Sequence, residues 1–272
     1  MDLPRSDRVA GRLIVRESSP STNAELVAMA ARDVDRELPD ATVLVTLDQT
    51  AGRGRLDRVW TAPPGTSLAV SVLLRTADPV GRPVGPERLS WLPIAAGVAM
   101  TETIAELLPH ATVSLKWPND VLIGEKKVCG ILTELVPAAG AVVIGSGVNL
   151  TMDAGQLPVP TATSLVLEGA PSASGRADGE LADRVLADYL ERLRSQVTAL
   201  LTAHGDADHS GLRALARELC GTLGGGVRVE LPGGDARHGT ARDLDELGRL
   251  IVATEHGDLV VAAGDVIHLR HG

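Results

Sequence analysis

The chain holds only three lysines, Lys116, Lys126 and Lys127, against 23 arginines, and all three fall within one stretch of twelve residues. A compact ammonium and a planar guanidinium fork do different work, so a lysine cluster in an arginine-using chain points to a site that needs the former. A compositional bias toward Arg, Ala, Gly and Val accounts for the scarcity just as well. The context adds weight. Lys116-Trp117-Pro118-Asn119-Asp120, then Lys126-Lys127-Val128-Cys129-Gly130-Ile131-Leu132, brings ammonium groups, an amide and a carboxylate to one region. Lys127 opens an otherwise apolar strand, an odd place for an idle charge, whereas Lys126 beside Glu125 reads as a solvated hairpin tip.

A second candidate is the stretch Gln49-Thr50-Ala51-Gly52-Arg53-Gly54-Arg55-Leu56-Asp57-Arg58-Val59-Trp60. Glycines let a backbone approach a ligand closely, and interleaved arginines supply forks for an anion. It matches neither GxxxxGK[ST] nor GxGxxG, so P-loop and dinucleotide readings lack their fingerprint. An ordinary solvated loop is the competing reading. A third is Gly145-Ser146-Gly147-Val148-Asn149, where glycines in a strand mark a bulge or close backbone approach to a ligand, with simple core packing the equal alternative. Seven scattered histidines and two unpaired cysteines form no metal, hydrolase or redox pattern.

These residues need a scaffold. A short strand at 12–16 follows a frayed start, and Thr22 with Glu25 forms a capping box opening a helix of about a dozen residues, striped by Leu26, Met29 and Ala30. Strands are expected at 42–47, 67–74, 113–117, 121–123, 127–135 and 141–149, and a long apolar helix at 89–108. Leu181, Val185, Tyr189, Leu193, Val197 and Leu200 repeat at helical spacing, and 212–219 forms a shorter helix. After Gly221 the texture changes to five short strands, at 227–231, 237–243, 249–254, 259–262 and 266–270, as in a small barrel. The expected boundary divides residues 1–220 from 221–272.

The 272 residues are ample for a core without staples. A net charge of −9 opposes non-specific binding to nucleic acid or anionic membrane. No apolar run approaches the ~18 residues of a span, and the first 20 residues are charged rather than signal-like. With its unpaired cysteines, the chain is expected in the cytoplasm.

Four segments together resemble the biotin protein ligases: Ser21-Thr22-Asn23, the 49–60 loop, Lys116 to Leu132, and Gly145 to Leu150. The resemblance spans roughly residues 12 to 270. It implies an α+β fold: a mixed-sheet catalytic domain flanked by helices, of the class II synthetase-like kind, with an SH3-like C-terminal barrel. It implies ATP-dependent activation of biotin as biotinyl-5′-AMP and transfer to a lysine of a biotin carboxyl carrier protein of acyl-CoA carboxylase, with Mg²⁺. By the same resemblance, Ser21, Thr22, Asn23, Gln49, Gly52, Arg53, Gly54, Arg55, Lys127 and Gly130 bind biotin. Arg53, Arg55, Trp60, Lys116, Asn119, Lys127 and Asn149 bind nucleotide, Asn119 contacts the metal, and Lys127, Asp120 and Arg53 are catalytic. Asp57 stands where the family loop often has Gly, and Cys129 where a small Ala is usual. Twenty residues before Ser21 are too few for a helix-turn-helix domain, so no DNA partner is expected. The alternatives are a lipoate or octanoate ligase of the same fold, or a non-catalytic biotin-binding regulator.

Overall fold

The structure is a computed structural model that describes all residues except 34, 36, 56–57, 172–178, 231–235, 263–265 and 269–272; of 266–268 it describes the backbone. Helix α1 (Pro4–Val9), strand β1 (Arg12–Val15), helix α2 (Thr22–Arg32) and strand β2 (Thr42–Thr46) lead into a small hairpin, β3 (Gly52–Arg53) and β4 (Val59–Trp60). Strand β5 (Ser67–Arg75), helix α3 (Leu92–Leu107) and strands β6 (Val113–Lys116), β7 (Asp120–Ile123), β8 (Lys126–Val136) and β9 (Ala141–Asn149) follow. Helices α4 (Gly179–Thr202) and α5 (Leu212–Leu219) precede the C-terminal strands.

The main sheet has seven strands in the order β1-β2-β5-β9-β8-β7-β6. Strands β1 and β2 are parallel and the other neighbours antiparallel, which makes the sheet mixed. The period of two gives its faces different tasks. Leu68, Val70, Val72 and Leu74 of β5, with Val142, Ile144 and Val148 of β9, face the large core under α3 and α4. Leu73 and Val143 face the other way and pack with Leu26 and Ala30 of α2. Helix α2 covers only part of that second face, and the remainder floors a cavity. Helix α3 is largely buried, with Ile94, Ala95, Ala96, Val98, Ala99 and Met100 at most 1% exposed, as expected of a helix clasped between sheet and helices, and it reaches solvent at Glu106.

Three expectations need correction. The start is not frayed: Pro4–Val9 forms α1, and the buried Asp183 carboxylate on α4 accepts from Arg5 N (2.9 Å), Ser6 N (2.8 Å) and Ser6 Oγ (2.7 Å). Polar spacing hid the helix because its cap comes from a residue 177 positions away. The N-cap of α2 is Ser21, not Thr22, whose place is inside the helix; Glu25 instead accepts from Arg16 and Ser19. The 49–60 loop also carries structure, since Gly52 pairs with Trp60 and Arg53 with Val59.

The C-terminal segment is a five-stranded antiparallel sheet in the order β13 (Gly257–Val261), β12 (Leu250–Thr254), β11 (Ala236–Leu244), β10 (Gly226–Glu230), β14 (Val266–His268). Among the described residues, no pair joins β13 to β14. The segment docks on the main body through its 245–248 turn. Trp91 Nε1 donates to Glu246 O (2.8 Å), and Trp117 Nε1 to Gly248 O (2.9 Å). Gly248 has φ +73°, and a Cβ there would press on Ile94 and Trp91, so the turn needs glycine.

Candidate active site

The cavity encloses about 490 Å³, within the range of small-ligand sites. Its floor follows from strand register. Ser71 opposes Gly145, Ala69 opposes Gly147, Gly147 opposes Gly130, and Gly130 opposes Asp120. The glycines are there because side chains lie across them. A Cβ on Gly147 would sit 2.7 Å from Trp60 Cε2, one on Gly130 would sit 3.0 Å from Lys127 Nζ, and one on Gly145 would overlap Asn23. At 145–149 the strand is regular, and the protein's own side chains, Asn23 and Trp60, pack over Gly145 and Gly147.

Lys127 reaches this floor by an irregularity. Val121 pairs with Cys129 but Leu122 with Lys127, so Val128 is an extra residue in β8. Such a bulge re-aims a side chain, and here it turns Lys127 onto the face of Gly130 and Asp120. Lys127 Nζ lies 2.7 Å from Asp120 Oδ1, with side chains 36% and 22% exposed, and 5.8 Å from the Trp60 ring centre. Its backbone is held by a strap, with Lys127 N donating to Thr161 O and Thr163 N to Lys127 O.

One wall is a hydrogen-bonded row. Gln49 Oε1 accepts from Thr22 N (2.9 Å), and Ser71 Oγ lies 2.8 Å from Thr22 Oγ1 and donates to Asn23 Oδ1 (2.7 Å). Asn23 Nδ2 donates to Glu134 Oε2 (2.8 Å), which also takes Arg53 Nη2 (2.7 Å). The roof is the β3–β4 hairpin. From it Arg55 Nη1 donates to Asn119 Oδ1 (2.8 Å), while Asn119 Nδ2 donates to Ile131 O (2.7 Å). Arg53, Arg55, Arg58, Lys116 and Lys127 line the cavity against the carboxylates of Asp120 and Glu230, so a chain of net charge −9 has a cationic pocket.

Most expected site residues converge here: Ser21, Thr22, Asn23, Gln49, Arg53, Gly54, Arg55, Trp60, Lys116, Asn119, Asp120, Lys127 and Gly130 all line the cavity. Gly52 stands behind the roof, paired with Trp60. Asn149 does not line the cavity; it is buried, and its amide donates to Thr163 O (2.8 Å), bracing the strap beside Lys127. Asp57 lies outside the described residues. Sequence reasoning missed Ser71, Glu134 and Glu230. The first two carried a signal, Ser71 as the polar residue inside the apolar run 68–74 and Glu134 as the acidic residue of β8; Glu230 comes from the C-terminal sheet and had none. Cys129 lies beneath the floor, where burial pushes its thiol far up, so it is packing rather than nucleophile.

Residues 15–149 match the biotin/lipoate A/B protein ligase family, and residues 222–269 match the biotin protein ligase C-terminal domain. The biotin–[acetyl-CoA-carboxylase] ligase of Mycobacterium tuberculosis is 39% identical over 263 residues, covering 95% of this chain and 90% of the relative. The chain belongs to the biotin protein ligases. Among other members, the bifunctional ligase/repressor BirA of Bacillus subtilis is 29% identical across 84% of this chain and 66% of its own length. The biotin protein ligase of Aquifex aeolicus, solved in complex with biotin and ATP, superposes with a TM-score of 0.71 at 26% identity, covering 96% of this chain and all of that one. No described helix of this biotin protein ligase is long and apolar enough to cross a membrane.

Proposed function

We infer that this protein activates biotin with ATP as biotinyl-5′-AMP and passes the biotinyl group to a lysine ε-amine on the biotin carboxyl carrier domain of an acyl-CoA carboxylase. The observation that carries the reading is the Lys127–Asp120 pair at the floor of a cationic cavity roofed by an arginine-bearing hairpin. A biotin carboxylate oxygen attacks the α-phosphorus of ATP, and pyrophosphate leaves. Two anions meet, so cations must offset their repulsion in the transition state: Lys127 between carboxylate and phosphate, Arg55 and Arg53 from the roof. Ser21, Thr22, Asn23 and Gln49 supply the polar wall suited to the ureido ring. Trp60 Nε1 is buried without a partner among the described residues, which leaves a donor for the ligand.

In the second step the carrier amine attacks the carbonyl carbon and AMP departs. A lysine of ordinary pKa ~10.4 is neutral in only about one case in 2500 at pH 7. Asp120 is placed to orient the incoming ammonium and receive its proton. The roof keeps water from the mixed anhydride. The described residues contain no group of three or more His, Cys, Asp or Glu that could hold a metal ion alone, so the protein contact would be Asn119 Oδ1, which accepts from Arg55 and keeps a second lone pair. Magnesium would enter with the nucleotide as its complex and would offset phosphate charge there. Residues 1–220 are read as the catalytic domain and 221–272 as an SH3-like unit that closes the nucleotide end through Glu230. Two free buried thiols suit the cytoplasm. Incubation with biotin, ATP and a carrier domain should add one biotinyl group to the carrier by mass. Lipoate replacing biotin as the group added would overturn the substrate.

A further inference from the structure

Glu134 takes no part in the chemistry above, yet one of its oxygens joins the two sides of the cavity. Oε2 accepts from Asn23 Nδ2 in the wall at 2.8 Å and from Arg53 Nη2 in the roof at 2.7 Å. Asn23 is fixed in turn by Ser71 and by Leu132 O. Glu134 is the one acidic residue in β8, on a strand whose neighbours Ile131 and Leu132 line the pocket. We propose that Glu134 is a positioning residue, a latch that ties the roof hairpin to the ligand wall through Arg53 and so sets how long the adenylate stays enclosed.

The latch rests on the functional reading of the same cavity. Its physical logic is kinetic. The Arg53–Glu134 pair is 47% and 29% exposed, so it is weak enough to open during each cycle, as a roof that admits biotin, ATP and a carrier lysine must. Its second partner makes the opening specific. When Arg53 leaves, the carboxylate keeps Asn23, and the wall stays formed while the roof lifts. The triphosphate entering the cavity competes with Glu134 for Arg53, because guanidinium forks bind either anion, and once pyrophosphate has left the single phosphate of the adenylate competes less, so Arg53 returns to Glu134. Adenylate formation then does not need the latch, whereas retention does.

The test compares wild type with E134Q, R53Q and the double variant. Each enzyme is loaded with biotin and ATP and freed of excess nucleotide. Release of biotinyl-AMP is then followed beside labelling of lysines on a non-carrier protein. A latch with the strength of a part-exposed ion pair predicts roughly two- to fivefold faster release in E134Q. The double variant should release no faster than R53Q, because the two residues act as one unit. At saturating biotin and ATP, first-turnover pyrophosphate release in E134Q should change less than adenylate release does, and the melting temperature should match wild type. E134Q retaining adenylate as wild type does, or effects of the two substitutions that multiply, overturns the latch. Wild-type enzyme that forms no biotinyl-AMP overturns the functional reading and the latch with it.

Discussion

At the scale of single residues, the cavity turns on a contrast between two adjacent lysines. Lys126 is exposed and lies away from the cavity, whereas Lys127 is turned inward to Asp120 by the extra residue Val128. Losing a charge-assisted contact made mainly in the transition state costs ~3 kcal/mol, about a hundredfold in rate. Lys127→Gln should lower the first-turnover rate of pyrophosphate release about that far and weaken biotin binding less. Lys127→Arg should recover part of the rate, since a broad fork displaces one of the crowded oxygens, and Lys126→Gln should match wild type. Equal defects at both lysines would refute the assignment. The two thiols provide a second check. Burial raises both Cys129 and Cys220 above the ordinary thiol value, so at pH 8 each is protonated and enclosed. Ellman's reagent should find no reactive thiol in the folded enzyme and two in denaturant.

At the scale of elements, the cavity exists because a strand with glycines at alternate positions lets side chains lie flat on the sheet. Trp60 crosses Gly147, and a methyl there would meet the indole at 2.7 Å. Gly147→Ala should push the ring and the roof hairpin outward. Overpacking of this kind costs roughly 1–3 kcal/mol where the neighbour cannot move, and less where it hinges away. The expected outcome is a raised KM for biotin with a small change in melting temperature, since β4 pairs with β3 through two residues. An unchanged KM would show that Trp60 does not shape the ligand space. Helix α1 poses the opposite case, an element whose first amides are held by one remote carboxylate. Asp183→Ala would leave the Arg5 and Ser6 donors without their acceptor. A cost of about 2–3 kcal/mol in urea unfolding is expected, as for hydrogen bonds to a charged group, with adenylate formation spared. A loss below 0.5 kcal/mol, as for surface substitutions, would show that α1 is docked by other means.

At the scale of the whole molecule, the C-terminal sheet and the Lys116–Asp120 turn are one construction. Trp117 N donates to Thr222 Oγ1 at 3.0 Å, and its indole donates to Gly248 O. The turn that presents Asn119 and Asp120 is thus braced by the segment that contributes Glu230 to the cavity rim. Thr222→Val keeps the volume but removes the acceptor of a buried N–H, which costs about 1–3 kcal/mol. Urea unfolding should report that loss. The ATP requirement should rise with it, because the turn and the rim loosen together; an unaltered ATP requirement would separate the two.

Local chemistry sufficed for much of this. Apolar alternation, helical spacing and turn residues placed the strands at 42–46, 67–75 and 141–149 and the helices at 179–202 and 212–219 within a few positions, because each buries a face that its own sequence writes. The 49–60 loop and the Lys116–Leu132 stretch were legible because they gather unusual residue types over a short span. What needed the tertiary structure was every contact made across long separations. Asp183 caps a helix 177 residues away, Glu134 meets Arg53 across 81 residues, and Glu230 enters the cavity from another sheet. Asn149, read as a nucleotide contact, proved to brace the strap instead. The bulge at Val128 was also invisible, since a strand's pattern does not say which partner residue it opposes. Sequence determines which faces must be buried and which residues carry charge. Register and packing decide which of those charges meet, because an electrostatic contact depends on distance in space and not along the chain.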